Sequence, residues 1–185
     1  MLVLSPEAHL QERIMRIRQV LAECTGIRPN GRKAHIVLAR WQALDMQEER
    51  MLQRLHTLSM EQYPFKVNLE GFKGFPSHTL YVPVPTREPI LKLVASVRRH
   101  KRFMTEGETD PYFITEPHLS VARGLTPGQY EKAMETFSPK HFHAGFVADA
   151  MLLLKRKPGA QPYQILNRLD FEHLAITPRQ ATLFM

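Results

Sequence analysis

At 185 residues, with 43% apolar and 23% charged side chains, the chain is long enough to bury a full core and too apolar to stay disordered. Its formal charge of +7 and isoelectric point near 9.8 favour anionic partners such as nucleotides, RNA or phosphate esters. No apolar run approaches the roughly 20 residues that span a bilayer, and a lone cysteine, Cys24, excludes an internal disulfide and fits a reducing compartment. The opening Met1-Leu2-Val3-Leu4-Ser5-Pro6 lacks a basic n-region and is too short for a secretory signal. The expectation is a single cytoplasmic domain.

Leu2 to Ser5 reads as a short strand, and Ser5-Pro6 as the cap and first-turn proline of a helix over 6–24. Along it Leu10, Ile14, Ile17, Leu21 and Cys24 recur every three or four residues, which makes one face apolar. A loop from Gly26 to Lys33 leads into Ala34-His35-Ile36-Val37-Leu38-Ala39-Arg40-Trp41, a strand. Asp45 with Glu48 opens a helix to about Met60, Phe65 to Leu69 is a strand, and 71–77 is a turn.

The second half repeats the plan. Thr79 to Val84 is a strand, and Glu88 to Arg102 a helix with Ile90, Leu93, Val94 and Val97 inward. Glu116-Pro117-His118-Leu119-Ser120-Val121-Ala122-Arg123-Gly124 is a strand between a proline and a glycine. Thr126-Pro127 with Gln129 opens a helix that stops at Ser138-Pro139, and Phe146 to Leu154 closes the unit as a strand. A hairpin follows, with its turn at Pro158-Gly159 and a strand from Tyr163 to Leu169, then a tail. Both halves run strand, helix, histidine strand, helix, strand. The reading is an internal duplication with repeats of about 1–75 and 76–154, and a hairpin and tail over 155–185.

His35 and His118 stand 83 residues apart at the same place in the two copies. Strand side chains alternate, so His118 and Ser120 share a face while Leu119 and Val121 back them with core. A pseudo-twofold would bring the two imidazoles together over one cleft. Two imidazoles with pKa values near neutrality can divide phosphodiester chemistry: the neutral ring takes a proton and the charged ring gives one to the leaving oxygen. The Ser120 hydroxyl can donate to the non-bridging oxygens that gain charge in the transition state. Val37 stands where the first copy would carry the matching hydroxyl.

These residues resemble the two-histidine (2H) phosphoesterase superfamily, which includes the 2′-5′ RNA ligase and cyclic nucleotide phosphodiesterase group. Its signature is a pair of His-apolar-Thr/Ser-apolar motifs in a duplicated chain. His118-Leu119-Ser120-Val121 matches it throughout, and His35-Ile36-Val37-Leu38 matches at the histidine and both apolar places. The resemblance implies a bilobal α+β fold with antiparallel sheets around a central cleft. It implies metal-independent catalysis by His35 and His118, with no cofactor, on a 2′,3′-cyclic phosphate or 2′-5′ phosphodiester of a nucleotide or RNA end. Ser120, Arg123, Lys33 and Arg40 are the candidate phosphate contacts, and Trp41, Tyr81 and Tyr112 the candidate base-stacking rings.

Two rival readings are a non-catalytic RNA or nucleotide binder with a degenerate first motif, and a metal hydrolase built on surplus histidines such as His141 and His143. His141-Phe142-His143 has no carboxylate or cysteine at ligand spacing, so no metal site is expected. His78 begins a strand and could line the cleft, whereas His56 falls on a helix surface. Arg98-Arg99-His100-Lys101-Arg102 reads most simply as the solvated end of a helix, and more sharply as a patch for RNA backbone. A monomer is expected.

Overall fold

A computed structural model describes residues 1–28, 31–42, 45–104, 109–156 and 162–173. In chain order the strands and helices are β1 (Leu2–Leu4), α1 (Ala8–Thr25), β2 (Ile36–Arg40), α2 (Asp45–Met60), β3 (Phe65–Glu70), β4 (Lys73–Phe75) and β5 (Thr79–Pro83). Then come α3 (Arg87–Arg98), a 3₁₀ turn (Lys101–Phe103), β6 (Tyr112–Phe113), β7 (His118–Ala122), α4 (Pro127–Phe137), β8 (His143–Ala148), β9 (Ala150–Lys155) and β10 (Gln164–Asp170). The larger sheet runs β10-β9-β1-β2-β7-β5-β4, with β6 also on β2, and β3 pairs with β8 in a second, two-stranded sheet. Strand neighbours in both are antiparallel, in an α+β fold.

The two histidine strands are direct neighbours, and Ile36 lies opposite Leu119. These two residues hold the same place in the two sequence motifs, so equivalent positions meet across a local twofold between β2 and β7. β3 and β8, also equivalent in the repeated order, pair as well. Ile36, Leu38, Leu119 and Val121 point into the core and are almost wholly buried. Each such side chain stabilises the fold by about 1.5–3 kcal/mol. The alternate residues, His35, Val37, His118 and Ser120, therefore share the other face.

Several boundaries differ from the sequence expectation. Pro6 is buried ahead of α1, and Glu7, without a side-chain cap bond, precedes the first helical residue. The expected turn over 71–77 contains β4, which pairs with β5 from Lys73 to Phe75. The helix expected to reach Arg102 ends at Arg98. Beyond it the amides of Arg99, His100, Phe103 and Met104 bond three residues back, which tightens the chain into the 3₁₀ turn. The strand expected over 146–154 is two strands in different sheets. Exposed Asp149 separates them, its carbonyl accepting from the Phe171 amide and its carboxylate pairing with Arg168.

Other expectations hold closely. The amide of Gln129 donates to the Thr126 hydroxyl while the Gln129 side chain accepts from the Thr126 amide, the reciprocal cap read from sequence. The terminal hairpin pairs β9 with β10 from Lys155–Gln164 to Ala150–Asp170. Its turn at Pro158-Gly159 and the tail beyond His173 lie outside the described residues.

Candidate active site

The twofold register fixes the site's floor. Continuing from Ile36 opposite Leu119, it sets His118 across from Val37 and Ser120 across from His35. On the far side of β7, Tyr81 and Pro83 of β5 lie opposite Ser120 and His118. Each imidazole is turned the same way by its own backbone. His35 Nδ1 meets the Lys33 carbonyl at 3.0 Å, and His118 Nδ1 meets the Glu116 carbonyl at 2.8 Å. A carbonyl only accepts, so both Nδ1 atoms carry hydrogen and Nε2 is the atom left for proton transfer.

A cleft of about 400 Å³ opens here, lined by His118, Val37, Arg123, Arg40, Tyr112, Glu116, Phe75, Ser77 and Thr79 among others. His35 does not line this cavity; it is half-buried on the same sheet face. The charge of Arg123 acts on both rings. Burial is the main reason that both imidazoles are pushed below their ordinary pKa. The backbone bonds at Lys33 and Glu116 oppose this, while Arg123 adds to it at both rings and Arg18 and Arg32 add to it at His35. Burial, then the neighbouring Arg40 charge, also lowers the pKa of Arg123.

Arg123 donates from Nε to the Ser120 hydroxyl at 2.9 Å, which leaves the serine's own proton free for an anion. Phe75 stacks on Tyr81 with centroids 4.0 Å apart, and both rings meet His118 edge-on at 4.9 and 5.3 Å. Arg40 lies over Tyr112 at 5.4 Å.

Helix α1 holds both motifs from behind. Gln11 clamps Ala34 as a strand neighbour would, its Oε1 accepting from the Ala34 amide at 2.7 Å and its Nε2 donating to the carbonyl at 2.8 Å. Seven residues on, and so on the same helix stripe, Arg18 is buried. It donates to the carbonyls of Val121 and Ser120 at 3.1 and 3.2 Å and to that of Arg32. One guanidinium thus ties the second motif to the segment that leads into the first.

With the two motifs side by side on one sheet face, comparison with known proteins decides the family. The sequence profile of the 2′-5′ RNA ligase superfamily matches residues 6–160. The chain belongs to this superfamily. Among solved structures, TT0787 of Thermus thermophilus is similar at a TM-score of 0.65 and 16% identity, over 92% of this chain and 96% of that one. E. coli LigT complexed with 3′-AMP is similar at 0.66 and 13% identity, over 92% and 95% of the two chains. E. coli LigT complexed with NADP+ follows at 0.62 and 17%, over 92% and 96%. At such identities the likeness is one of fold. No curated protein matches by sequence.

Ser120, Arg123 and Arg40 gather beside His118, Arg40 as the last residue of β2 and Arg123 just past the end of β7. Lys33 is exposed and meets the site through its carbonyl. Tyr112 lines the cleft and is exposed. Tyr81 is buried behind His118 as a wall, and Trp41 packs half-buried against the core instead of lining the cleft. His78 adopts a left-handed φ of 54° that turns its ring to Tyr130, 5.2 Å away, so its neighbours Ser77 and Thr79 face the cleft in its place. Among the described residues no three His, Cys, Asp or Glu side chains cluster as metal ligands, and no helix is long and apolar enough to cross a membrane.

Sequence reading missed Gln11, Arg18 and Phe75. Only Arg18 left a signal: it is a cation on α1's apolar stripe between Ile14 and Leu21.

Proposed function

We propose that this protein is a phosphoesterase that acts on a 2′,3′-cyclic phosphate or a 2′-5′ phosphodiester of a nucleotide or RNA end. The observation that carries the reading is the matched pair of imidazoles, each with Nδ1 held by the carbonyl two residues back, on one face of paired strands. One Nε2 takes a proton from water, whose oxygen attacks phosphorus. The bond from phosphorus to a ribose oxygen breaks, and the other imidazolium delivers its proton to that oxygen. The roles interchange in the reverse, ligating direction. Ser120 and Arg123 steady the non-bridging oxygens, and Arg40 stands in for the hydroxyl that Val37 lacks. That LigT, alike in fold, is complexed with 3′-AMP and NADP+ supports a nucleotide substrate.

In this reading residues 1–75 and 76–154 are two lobes that contribute one histidine each, with the hairpin and tail over 155–185. The protein works as a cytoplasmic monomer. Cyclic-phosphate hydrolysis by wild type, His35→Ala and His118→Ala, with and without EDTA, tests it. Near-silence of both variants and indifference to chelator are expected, and turnover that survives both substitutions sinks the reading. Val37 favours one second reading, a binder without turnover. It predicts retained nucleotide affinity and no histidine-dependent hydrolysis.

A further inference from the structure

Two hydroxyls that neither histidine motif supplies reach the cleft. The chain turns over Pro76, Ser77 and His78 between β4 and β5, and Ser77 and Thr79 line the cavity together with His118 and Arg123. Thr79 is buried, yet its hydroxyl meets only the Ser77 hydroxyl, at a long 3.5 Å. Among the described residues neither hydroxyl has a further partner. A buried hydroxyl ordinarily finds a full hydrogen-bond partner. A pair left so weakly bonded on the wall of a cleft is available to what the cleft binds.

The hairpin is built to aim them. His78 takes a φ of 54°, a conformation that is uncommon outside glycine and persists only where the surroundings hold it. Its amide donates to the Phe75 carbonyl at 3.0 Å, its carbonyl accepts from the Leu125 amide at 3.2 Å, and its ring lies 5.2 Å from that of Tyr130. A Cβ at Gly74 would run into the Tyr130 hydroxyl, so β4 seats directly on α4. The same wall touches the catalytic ring. Phe75, opposite Thr79 across the hairpin, lies 4.9 Å from the His118 imidazole. A cavity of about 400 Å³ is near the small end for ligand pockets, so groups on its walls meet the same molecule.

We propose that Ser77 and Thr79 are further phosphate-contact residues, which donate to non-bridging oxygens from the β5 side while Ser120 and Arg123 do so from the β7 side. The first motif brings no hydroxyl, because Val37 stands there, and the hairpin supplies two from outside either motif. Donors already in place when charge develops on these oxygens favour the transition state. This rests on the phosphoesterase reading for the identity of the anion, and on the hairpin alone for the hydroxyls.

Thr79→Val keeps the branched shape and removes one hydroxyl, and Ser77→Ala removes the other. On a 2′,3′-cyclic mononucleotide the double variant should lose about tenfold to a hundredfold in kcat. Thr79→Ser, which restores the donor, should recover most of the loss seen in Thr79→Val. Thr57→Val, which removes an exposed hydroxyl from α2, should change nothing. Inorganic phosphate titrated against the ¹H–¹⁵N signals of the histidine rings reads the contact without turnover, and its affinity should fall about tenfold in the double variant.

That second measurement decides. If nothing is hydrolysed but phosphate affinity still depends on the two hydroxyls, the phosphoesterase reading fails and this one stands. Phosphate affinity unaltered in the double variant overturns the proposal, including the case in which nucleotide binding alone weakens and the hydroxyls therefore serve sugar or base. A wild type that binds no phosphate overturns it as well.

Discussion

Arg123 and Ser120 join two of the candidate phosphate contacts through a side-chain hydrogen bond, Nε to Oγ at 2.9 Å. The direction of this bond matters. The serine oxygen is occupied as an acceptor, so its hydrogen is left to donate to an anion, and Arg123 itself lines the cleft. The pair acts as a unit. Ser120→Ala should lower kcat by about 10²–10³, the usual cost of removing one transition-state donor. Arg123→Gln should cost a similar factor, and the double variant much less than the product. Steady-state kinetics on the four proteins of the cycle checks this, and strict additivity would sink the coupling.

Val37 is cleft-lining and faces His118 across the β2/β7 pair. Val37→Thr keeps the branched shape and adds a hydroxyl where the first motif has none. If the reacting phosphate sits on this floor, the added donor should raise kcat on a cyclic phosphate, by up to about 10². A Thr variant that binds the substrate more tightly without turning it over faster would move the phosphate elsewhere.

Both imidazoles are held below their ordinary pKa of about 6.5, chiefly by burial. The sign follows. The unfolded chain binds these protons more readily, so the two rings contribute stability above about pH 6.5 that is lost as pH falls through their lower folded values. Because the Arg123 charge depresses both, Arg123→Gln should raise both titrations together, in ¹H–¹⁵N spectra of the histidine rings. The same spectra should show hydrogen on Nδ1 in the neutral rings. A shift at His118 alone would place Arg123 outside His35's reach.

Much of this was legible in the chain. The histidine spacing predicts that the two imidazoles meet about a pseudo-twofold across a cleft; the strands that carry them are instead direct sheet neighbours, with Ile36 facing Leu119, so both rings belong to one sheet face. Thr126 and Gln129 announce α4 through a contact only three residues long. What sequence hid depends on distant partners. Nothing local shows that the chain changes sheets at Asp149, since the partners are β3 on one side and β1 and β10 on the other. Tyr81 and Trp41 look like stacking rings in sequence, but Tyr81 is buried and Trp41 packs half-buried against the core, and Tyr112 is the most exposed of the three. Gln11 reads as an ordinary polar helix position because its partner, Ala34, is 23 residues away.

That last contact carries a prediction of its own. Gln11 satisfies both backbone groups of the residue before His35, a place that β-sheet pairing does not reach, since β2 begins at Ile36. Gln11→Ala leaves both groups unsatisfied unless water enters, at a cost of about 1–3 kcal/mol. The loss should not be confined to stability. His35 is oriented by the Lys33 carbonyl, on the other side of Ala34, so a freed backbone there swings the ring as well. The expected result is a fall in kcat of roughly tenfold or more with KM little changed, since misplacing a proton carrier by an ångström is felt in the rate. Gln11→Glu keeps the acceptor for the Ala34 amide but sets a carboxylate against its carbonyl, and it should be no better than alanine. Thermal unfolding beside steady-state kinetics separates the outcomes: lowered stability with an unchanged kcat would make Gln11 a structural clamp and nothing more.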